Sequence, residues 1–250
     1  MVEYFGINFV FEHDRVDEII DSHIREGKVG YVCSLDGNNF STAQRFSEHM
    51  LVINSSIVNN CDSAWIPKII NCIYGTDYDN YCGADLFIKY IGKRKYKQFF
   101  LGSSRDVLDG LKKEMAKIDP AIENMRFEEL PFRKVEDFDY EGIAAMINED
   151  APDIIWVSLG APKQEQFMYR LKPYLKRGVM FGYGAIFNFY CGLDYVPRRA
   201  PRWMLKLSLE WLHRLILEPK KQSKRLSFII KEFPKAIKKE YARKKVAHSK

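Results

Sequence analysis

Four stretches of small and polar residues each follow an apolar run: Ser34-Leu35-Asp36-Gly37, Gly102-Ser103-Ser104, Gly160-Ala161-Pro162 and Gly182-Tyr183-Gly184-Ala185. Glycine lets a backbone approach a phosphate closely. A helix that begins just after such a turn adds free N–H groups and the positive end of its dipole. Each stretch alone is also an ordinary strand-to-helix turn, but four together point to a phosphorylated ligand, and a nucleotide diphosphate is a natural one. Gln164 opens a helix beside Gly160, where backbone and amide donors reach a sugar or a phosphate. Other chemistries lack their residues. No G-x-G-x-x-G follows a strand, no lysine-bearing phosphate loop is present, and the five histidines are dispersed. Asp77-Tyr78-Asp79 has the D-x-D form that holds a divalent ion in many sugar-nucleotide transferases. Here it follows Gly75-Thr76 and precedes Asn80, so it reads as a polar loop.

The elements that must position these turns alternate. Apolar runs at Phe5–Phe11, Val29–Ser34, Gln98–Leu101, Met125–Leu130, Asp153–Leu159 and Val179–Tyr183 read as strands. Between them, helical spacing is found at Arg15–Glu26, Ser41–Met50, Trp65–Tyr74, Asp85–Ile91, Asp106–Ile118, Asp139–Asn148 and Gln164–Lys176, and a long helix is expected over Arg202–Leu217. This order predicts an α/β fold: a Rossmann-like, mostly parallel sheet with helices on both faces, which binds ligands at the carboxyl ends of its strands. A basic amphipathic helical appendage follows. The expected division is a core over residues 1–200 and an appendage over 201–250.

Composition narrows the class. Hydrophobic residues make up 46% of 250, enough for a core, and 29% are charged, which excludes an integral membrane or a disordered chain. No signal pattern opens the sequence and the five cysteines form no C-x-x-C pair, so a reduced cytoplasmic setting is expected. The net charge of +6 is uneven. From Pro219 to Lys250 twelve Lys or Arg face two Glu, leaving the rest mildly acidic. Such a block seeks an anionic partner: nucleic acid, anionic lipid or a phosphorylated substrate.

Two stretches are more specific. Trp156-Val157-Ser158-Leu159-Gly160-Ala161-Pro162-Lys163-Gln164-Glu165 is one. The other is Arg199-Ala200-Pro201-Arg202-Trp203-Met204 with Leu209-Glu210-Trp211-Leu212-His213-Arg214-Leu215 and Glu218-Pro219. Together with Gly184–Phe189, Gly83-Ala84-Asp85-Leu86 and Phe100-Leu101-Gly102, they resemble the TagA/WecG/CpsF family of bacterial glycosyltransferases over most of residues 5–220. The resemblance implies an inverting, metal-independent transfer of N-acetylmannosamine, its uronic acid or another hexose. The donor is a UDP-sugar, the acceptor a polyprenyl-diphosphate-linked sugar, and the product a precursor of teichoic acid, capsule or a similar surface polysaccharide. No cofactor is expected. The enzyme would lie on the inner face of the cytoplasmic membrane, against its anionic surface, and a homo-oligomer is compatible with it.

The resemblance also places residues. The family's catalytic aspartate, in a Pro-Asp-Gly motif, matches Asp62 in Asn60-Cys61-Asp62-Ser63. Its Thr-Pro-Asn turn matches Ser34-Leu35-Asp36, and its Phe-Asp-Phe matches Phe187-Asn188-Phe189. Read from its own neighbours, Asp62 is equally a general base walled by Ile57, Val58 and Trp65 or an N-cap of the helix over Trp65–Tyr74; the resemblance implies the base. Expected around the donor are Ser34, Asp36, Gly83, Asp85 (equally a helix cap), Gly102, Gly160, Gln164, Gly182, Gly184 and Asn188. Expected at the diphosphate or the lipid-linked acceptor are Arg199, Arg202, Arg214, Lys220, Lys221 and Arg225. Leu226, Ile229, Ile230, Phe233, Ile237 and Tyr241 recur at helical spacing among lysines. That pattern suits an anionic membrane surface or packing on the body. Two other readings remain at this stage: a catalytically inactive UDP-binding homologue acting in assembly, and a nucleic-acid-binding protein using the basic tail. No nucleic-acid fold supports the second, so no nucleic-acid partner is expected.

Overall fold

The computed structural model describes residues 1–207 and 209–247, apart from the side chains of Arg202, Lys206 and Ala247. In chain order the elements are β1 (Val2–Tyr4), β2 (Ile7–Phe9), α1 (His13–Arg25), β3 (Val29–Leu35), α2 (Gly37–Arg45), α3 (Ser47–Asn54), β4 (Val58–Cys61), α4 (Trp65–Tyr74), α5 (Gly83–Gly92), β5 (Gln98–Gly102), α6 (Arg105–Ala116), β6 (Arg126–Glu128), α7 (Tyr140–Asp150), β7 (Ile154–Ser158), α8 (Lys163–Leu171), β8 (Gly178–Gly182), α9 (Ile186–Tyr190), α10 (Arg202–Lys206), α11 (Glu210–Leu217) and α12 (Pro219–Ala247), with short 3-10 turns between some of them.

Strands buried on both faces read as near-continuous apolar runs, and β5, β7 and β8 are buried throughout, with the one buried amide, Gln98, accepting from the Trp156 indole at 2.6 Å. They lie in a six-stranded sheet of order β4-β3-β8-β7-β5-β6, with every neighbour parallel. Alternation sends Tyr31, Cys33, Phe99, Leu101, Ile155, Val157 and Met180 to one apolar cluster. Val32, Phe100, Ile154, Trp156, Val179 and Phe181 go to the other. Helices α2, α4, α7 and α8 cover the first face; α1, α5 and α6 cover the second. The α/β sheet expected from the sequence is therefore present. The chain leaves β3 outward to β4 and then crosses to β5 in the other half. Connections thus diverge near the centre, where the turns after β3, β7 and β8 face one another.

Several boundaries differ from expectation for local reasons. The single strand expected over Phe5–Phe11 is the antiparallel hairpin β1–β2, because Phe5 and Gly6 take φ of 56° and 75° and turn the chain. The helix expected over Ser41–Met50 is two helices, broken where Phe46 is extended. The long helix expected over Arg202–Leu217 is divided into α10 and α11. Helix α12 runs through Pro234.

The stripe on α12 faces the body. Ala236 is buried, Phe233 and Ile237 pack on the first apolar cluster, and the Phe233 ring lies 4.8 Å from that of Phe40 on α2. Ile229 approaches Gly37 at the start of α2. Polar contacts extend the seam: the Tyr74 hydroxyl donates to Glu240 at 2.8 Å, and Arg243 pairs with Glu3 at 2.5 Å. Ile230, Tyr241 and Val246 are exposed. Most of the stripe read as a membrane-facing candidate thus finds its partners within the chain. An Ala236→Arg variant forces a long cation into this seam. Overpacking of this kind costs about 1–3 kcal/mol, so chymotrypsin, which gains no site from the substitution, is expected to cut α12 several-fold faster than in the unaltered protein, while cleavage within the sheet-bearing body stays unchanged.

Candidate active site

A cleft of about 320 Å³ opens at the carboxyl ends of β3, β7 and β8, with α11 and the first turns of α12 as its far wall. Its floor is fixed by one side chain. Gln164, at the start of α8, accepts from the backbone N–H of Gly160 at 3.1 Å and of Gly184 at 2.9 Å. Its amide nitrogen donates to the Gly182 carbonyl at 2.6 Å and to Glu165 at 2.9 Å. The turns after β7 and β8 are thereby joined through one amide. Gly184 has to be glycine here, since a Cβ would lie 2.5 Å from the Gly160 nitrogen and 2.7 Å from Gln164 Oε1. Ser158 Oγ adds a bond to the Gly184 carbonyl at 2.9 Å. Glu165, fully buried behind Gln164, has its carboxyl pushed up to about 7 by burial, so near neutral pH it exchanges between its protonated and ionised forms while it accepts from the amide.

Asp62 follows β4 directly. Its own N–H extends the β3–β4 ladder to the Leu35 carbonyl at 3.1 Å. Its Oδ1 accepts from the Gly83 N–H, the first residue of α5, at 2.8 Å. The N-cap reading over Trp65–Tyr74 is not what the structure shows: Ala64 stands at the N-cap of α4 with no side-chain cap, and Asp62 reaches a different helix. Burial, then the charge of Glu210, push the Asp62 carboxyl from 3.8 up to about 6; the Gly83 N–H and the charge of Arg214 oppose them. A carboxylate poised there accepts a proton near neutral pH and passes it on readily. Around it stand Ser34, Cys82 and Tyr183, the last with a buried hydroxyl that has no partner among the described residues. Asn60, also buried, donates to the Tyr81 carbonyl at 2.9 Å and keeps its Oδ1 free of partners there.

The far wall is basic with interleaved acids. Arg214, Lys221 and Arg225 line it, as do Glu210 and Glu218. Arg214 is held by Glu210 at 2.7 Å and 3.1 Å and lies over the Phe189 ring at 5.0 Å. Lys221 pairs with Glu218 at 2.8 Å.

Of the residues expected from the sequence, the cleft collects Ser34, Asp36, Asp62, Gly160, Gln164, Gly182, Gly184, Asn188, Arg214, Lys221 and Arg225. Their roles are not all as expected. Asp36 caps α2 through the Asn39 N–H at 2.7 Å, and Gln164 has its polar atoms committed to the two turns. Gly83 acts through its N–H on Asp62. Gly102 does not line the cleft; Ser103 beside it does. Asp85 is neither a cap nor a cleft residue: it is exposed and pairs with Arg199 at 2.9 Å, and Arg199 also donates to the Tyr190 hydroxyl at 3.2 Å. Arg199 therefore clamps the segment after α9 to α5, outside the cleft. Lys220 is exposed away from it. The side chain of Arg202 lies outside the described residues. Asp77 and Asp79 sit exposed on the loop between α4 and α5, away from the cleft.

Sequence reasoning missed Tyr183, Ser158, Asn60 and Glu210. For Glu210 a signal existed, since it precedes Arg214 by one helical turn. Tyr183 lay in plain view between two glycines, but nothing local marks its hydroxyl as unpartnered.

Comparison with known proteins gives a consistent set of relatives. The profile of the glycosyl transferase WecG/TagA/CpsF family matches residues 2–246. The chain is 27% identical over 237 residues to an N-acetylglucosaminyldiphosphoundecaprenol N-acetyl-beta-D-mannosaminyltransferase of Bacillus subtilis (strain 168), spanning 93% of this chain and 89% of that protein. A protein of the same description from Bacillus spizizenii (strain ATCC 23059 / NRRL B-14472 / W23) is 28% identical over 148 residues, 58% of this chain and 54% of its own. One from Staphylococcus aureus (strain NCTC 8325 / PS 47) is 26% identical over 125 residues, 50% and 46%.

The raised carboxyl of Asp62 has a stability consequence with a defined sign. Its folded value of about 6 lies above the ordinary 3.8, so ionising it disfavours the folded state as pH rises from about 4 through 6. Asp62→Asn, which carries no charge to ionise, is expected to melt higher than the unaltered protein at pH 8. That advantage should shrink as pH falls to 4, as followed by circular dichroism. A difference independent of pH would show that the carboxyl is not raised.

Proposed function

Because the chain belongs to the WecG/TagA/CpsF family of glycosyltransferases, we propose that it moves N-acetylmannosamine, or a closely related hexose, from UDP onto a sugar carried by polyprenyl diphosphate, with inversion and with Asp62 as the base. The observation that carries the base assignment is the position of Asp62: at the floor of the cleft, with its carboxyl raised toward neutrality, opposite a basic wall. Inverting transfer is one in-line displacement at the anomeric carbon. The acceptor hydroxyl loses its proton to Asp62 as its oxygen attacks, and the bond to the UDP oxygen breaks on the opposite side. Gly83 holds Asp62 by one oxygen, which leaves the other for the incoming hydroxyl.

The departing UDP carries negative charge that must be stabilised. Arg214, Lys221 and Arg225 supply cations on the wall facing Asp62, and the Gln164-bound turns bring backbone close to the same space. An arginine grips a phosphate in a fork, whereas a lysine acts as a point charge. These side chains support a mechanism in which protein cations, rather than a divalent ion, carry the diphosphate.

The relatives are named for an undecaprenol-linked acceptor, and no helix among the described residues is long and apolar enough to cross a membrane. Trp203, Leu207, Trp211, Ile216 and Leu217 are exposed along α10 and α11, beside the cleft's far wall. Basic residues of α12 lie outward close by. We propose that this edge meets the anionic surface of the membrane, with aromatic rings at headgroup level and roughly 1 kcal/mol from each basic side chain near it.

Two outcomes check these readings. With UDP-N-acetylmannosamine and a polyprenyl-diphosphate-linked N-acetylglucosamine analogue, UDP release is expected to persist in EDTA. It should fall roughly 10²–10⁴-fold in Asp62→Asn; near-normal turnover by that variant would remove the base. Sedimentation with phosphatidylglycerol vesicles is expected to carry the protein down at low salt, phosphatidylcholine vesicles much less. Trp203→Ala/Trp211→Ala should weaken the first at every salt concentration.

A further inference from the structure

A cleft meant for a diphosphate also carries acids: besides Asp36 and Asp62 it contains Glu210 and Glu218, both on the same wall as the cations, and Glu218 pairs with Lys221. Glu210 is half-buried and accepts both bonds from Arg214 at a single oxygen, Oε1, one from Nε at 3.1 Å and one from Nη2 at 2.7 Å. That edge-on grip fixes the guanidinium plane against Phe189, 5.0 Å away, and leaves Nη1 without a hydrogen bond among the described residues. Arg214 has other carboxylates to choose from, for its charge acts on both Asp62 and Asp36. A guanidinium freed from Glu210 would meet Asp62 as the attractive alternative. That pairing would place the cation on the base and take it away from the diphosphate.

We infer that Glu210 is a positioning residue: it holds Arg214 by its Nε edge, keeping the guanidinium off Asp62 and presenting Nη1 to the donor diphosphate. The arrangement uses one carboxylate to protect another from neutralisation, which accounts for an acid in an anion site. The inference rests on the donor reading given above, though not on Asp62 being the base.

Binding of UDP at pH 8, by calorimetry, tests it through a double-mutant cycle on the full chain. Glu210→Ala is expected to weaken UDP about tenfold, equivalent to 1.4 kcal/mol, because Arg214 swings to ionised Asp62. Asp62→Asn alone is expected to bind UDP at least as tightly as the unaltered protein. The double variant Glu210→Ala/Asp62→Asn is expected to recover to within about twofold of the unaltered protein, because the competing carboxylate is gone. A merely structural role for Glu210 would give the same loss with and without Asp62, and that result overturns the inference, as does unweakened binding by Glu210→Ala. Should Glu210→Ala not fold, Glu210→Met keeps roughly the side-chain volume without an acceptor oxygen, and its cycle must show the same rescue. Turnover by Asp62→Asn would sink the base assignment and leave this cycle standing. Failure of the unaltered protein to bind UDP would overturn the donor reading and the inference together.

Discussion

Two loops that approach within backbone contact must satisfy each other's polar groups, and here a single primary amide meets that demand. Gln164 takes the N–H groups of Gly160 and Gly184 and gives its own hydrogens to Gly182 and Glu165. Buried donors without partners cost about 1–3 kcal/mol each, so neither turn is free to move alone. The ends of β7 and β8 are rigid for this reason, and the cleft inherits that rigidity on one side. Glu165 belongs to the same constraint. Burial raises its carboxyl toward neutrality, which lowers the cost of holding an acid behind the amide without a cation beside it.

The opposite side of the cleft is built on different physics. Its wall comes from α11 and the start of α12, surface helices whose charged side chains pair within one turn of each other. Such pairs hold by modest energies in water. The site thus sets a rigid, hydrogen-bonded floor against an adjustable, charged wall. Asp62 stands between them, raised by burial and by Glu210, and restrained by Gly83. Its proton affinity is set jointly by both halves.

The sheet was legible in the sequence because its strands are apolar on both faces and end at glycine or serine; Gln98–Gly102 and Ile154–Ser158 lie within one residue of where their composition places them. The paired turns were legible from their own glycines at strand ends, whereas Asp62 as base and Arg214 were placed through motif resemblance. What stayed hidden depends on partners distant in sequence. Arg199 carries the same charge as Arg214, but Asp85 and Tyr190 claim it 114 and 9 residues away. Gln164 looked like a ligand contact because its first-turn position offers donors; only the folded chain reveals that Gly182 and Glu165 take them. The stripe on α12 has the period of a membrane-surface helix, and periodicity alone does not say whether lipid or Phe40 receives it. Helix breaks at Phe46 and after Lys206 carry no proline or glycine to announce them.

Helix α12 reaches back to the beginning of the chain, where Arg243 meets Glu3. During synthesis every strand of the sheet leaves the ribosome before α12 does, and domains fold as units while emerging. The floor of the cleft can therefore form early, on local and sheet contacts. The wall bearing Lys221 and Arg225 arrives only when α12 packs back on α2, a contact distant in sequence and slow to make. A nascent chain with a finished sheet would hold Asp62 beside an open surface that lacks the cations of that wall. Of the elements that line the cleft, α11 and α12 are therefore the last to be made, and the charged half of the site is completed after the hydrogen-bonded half.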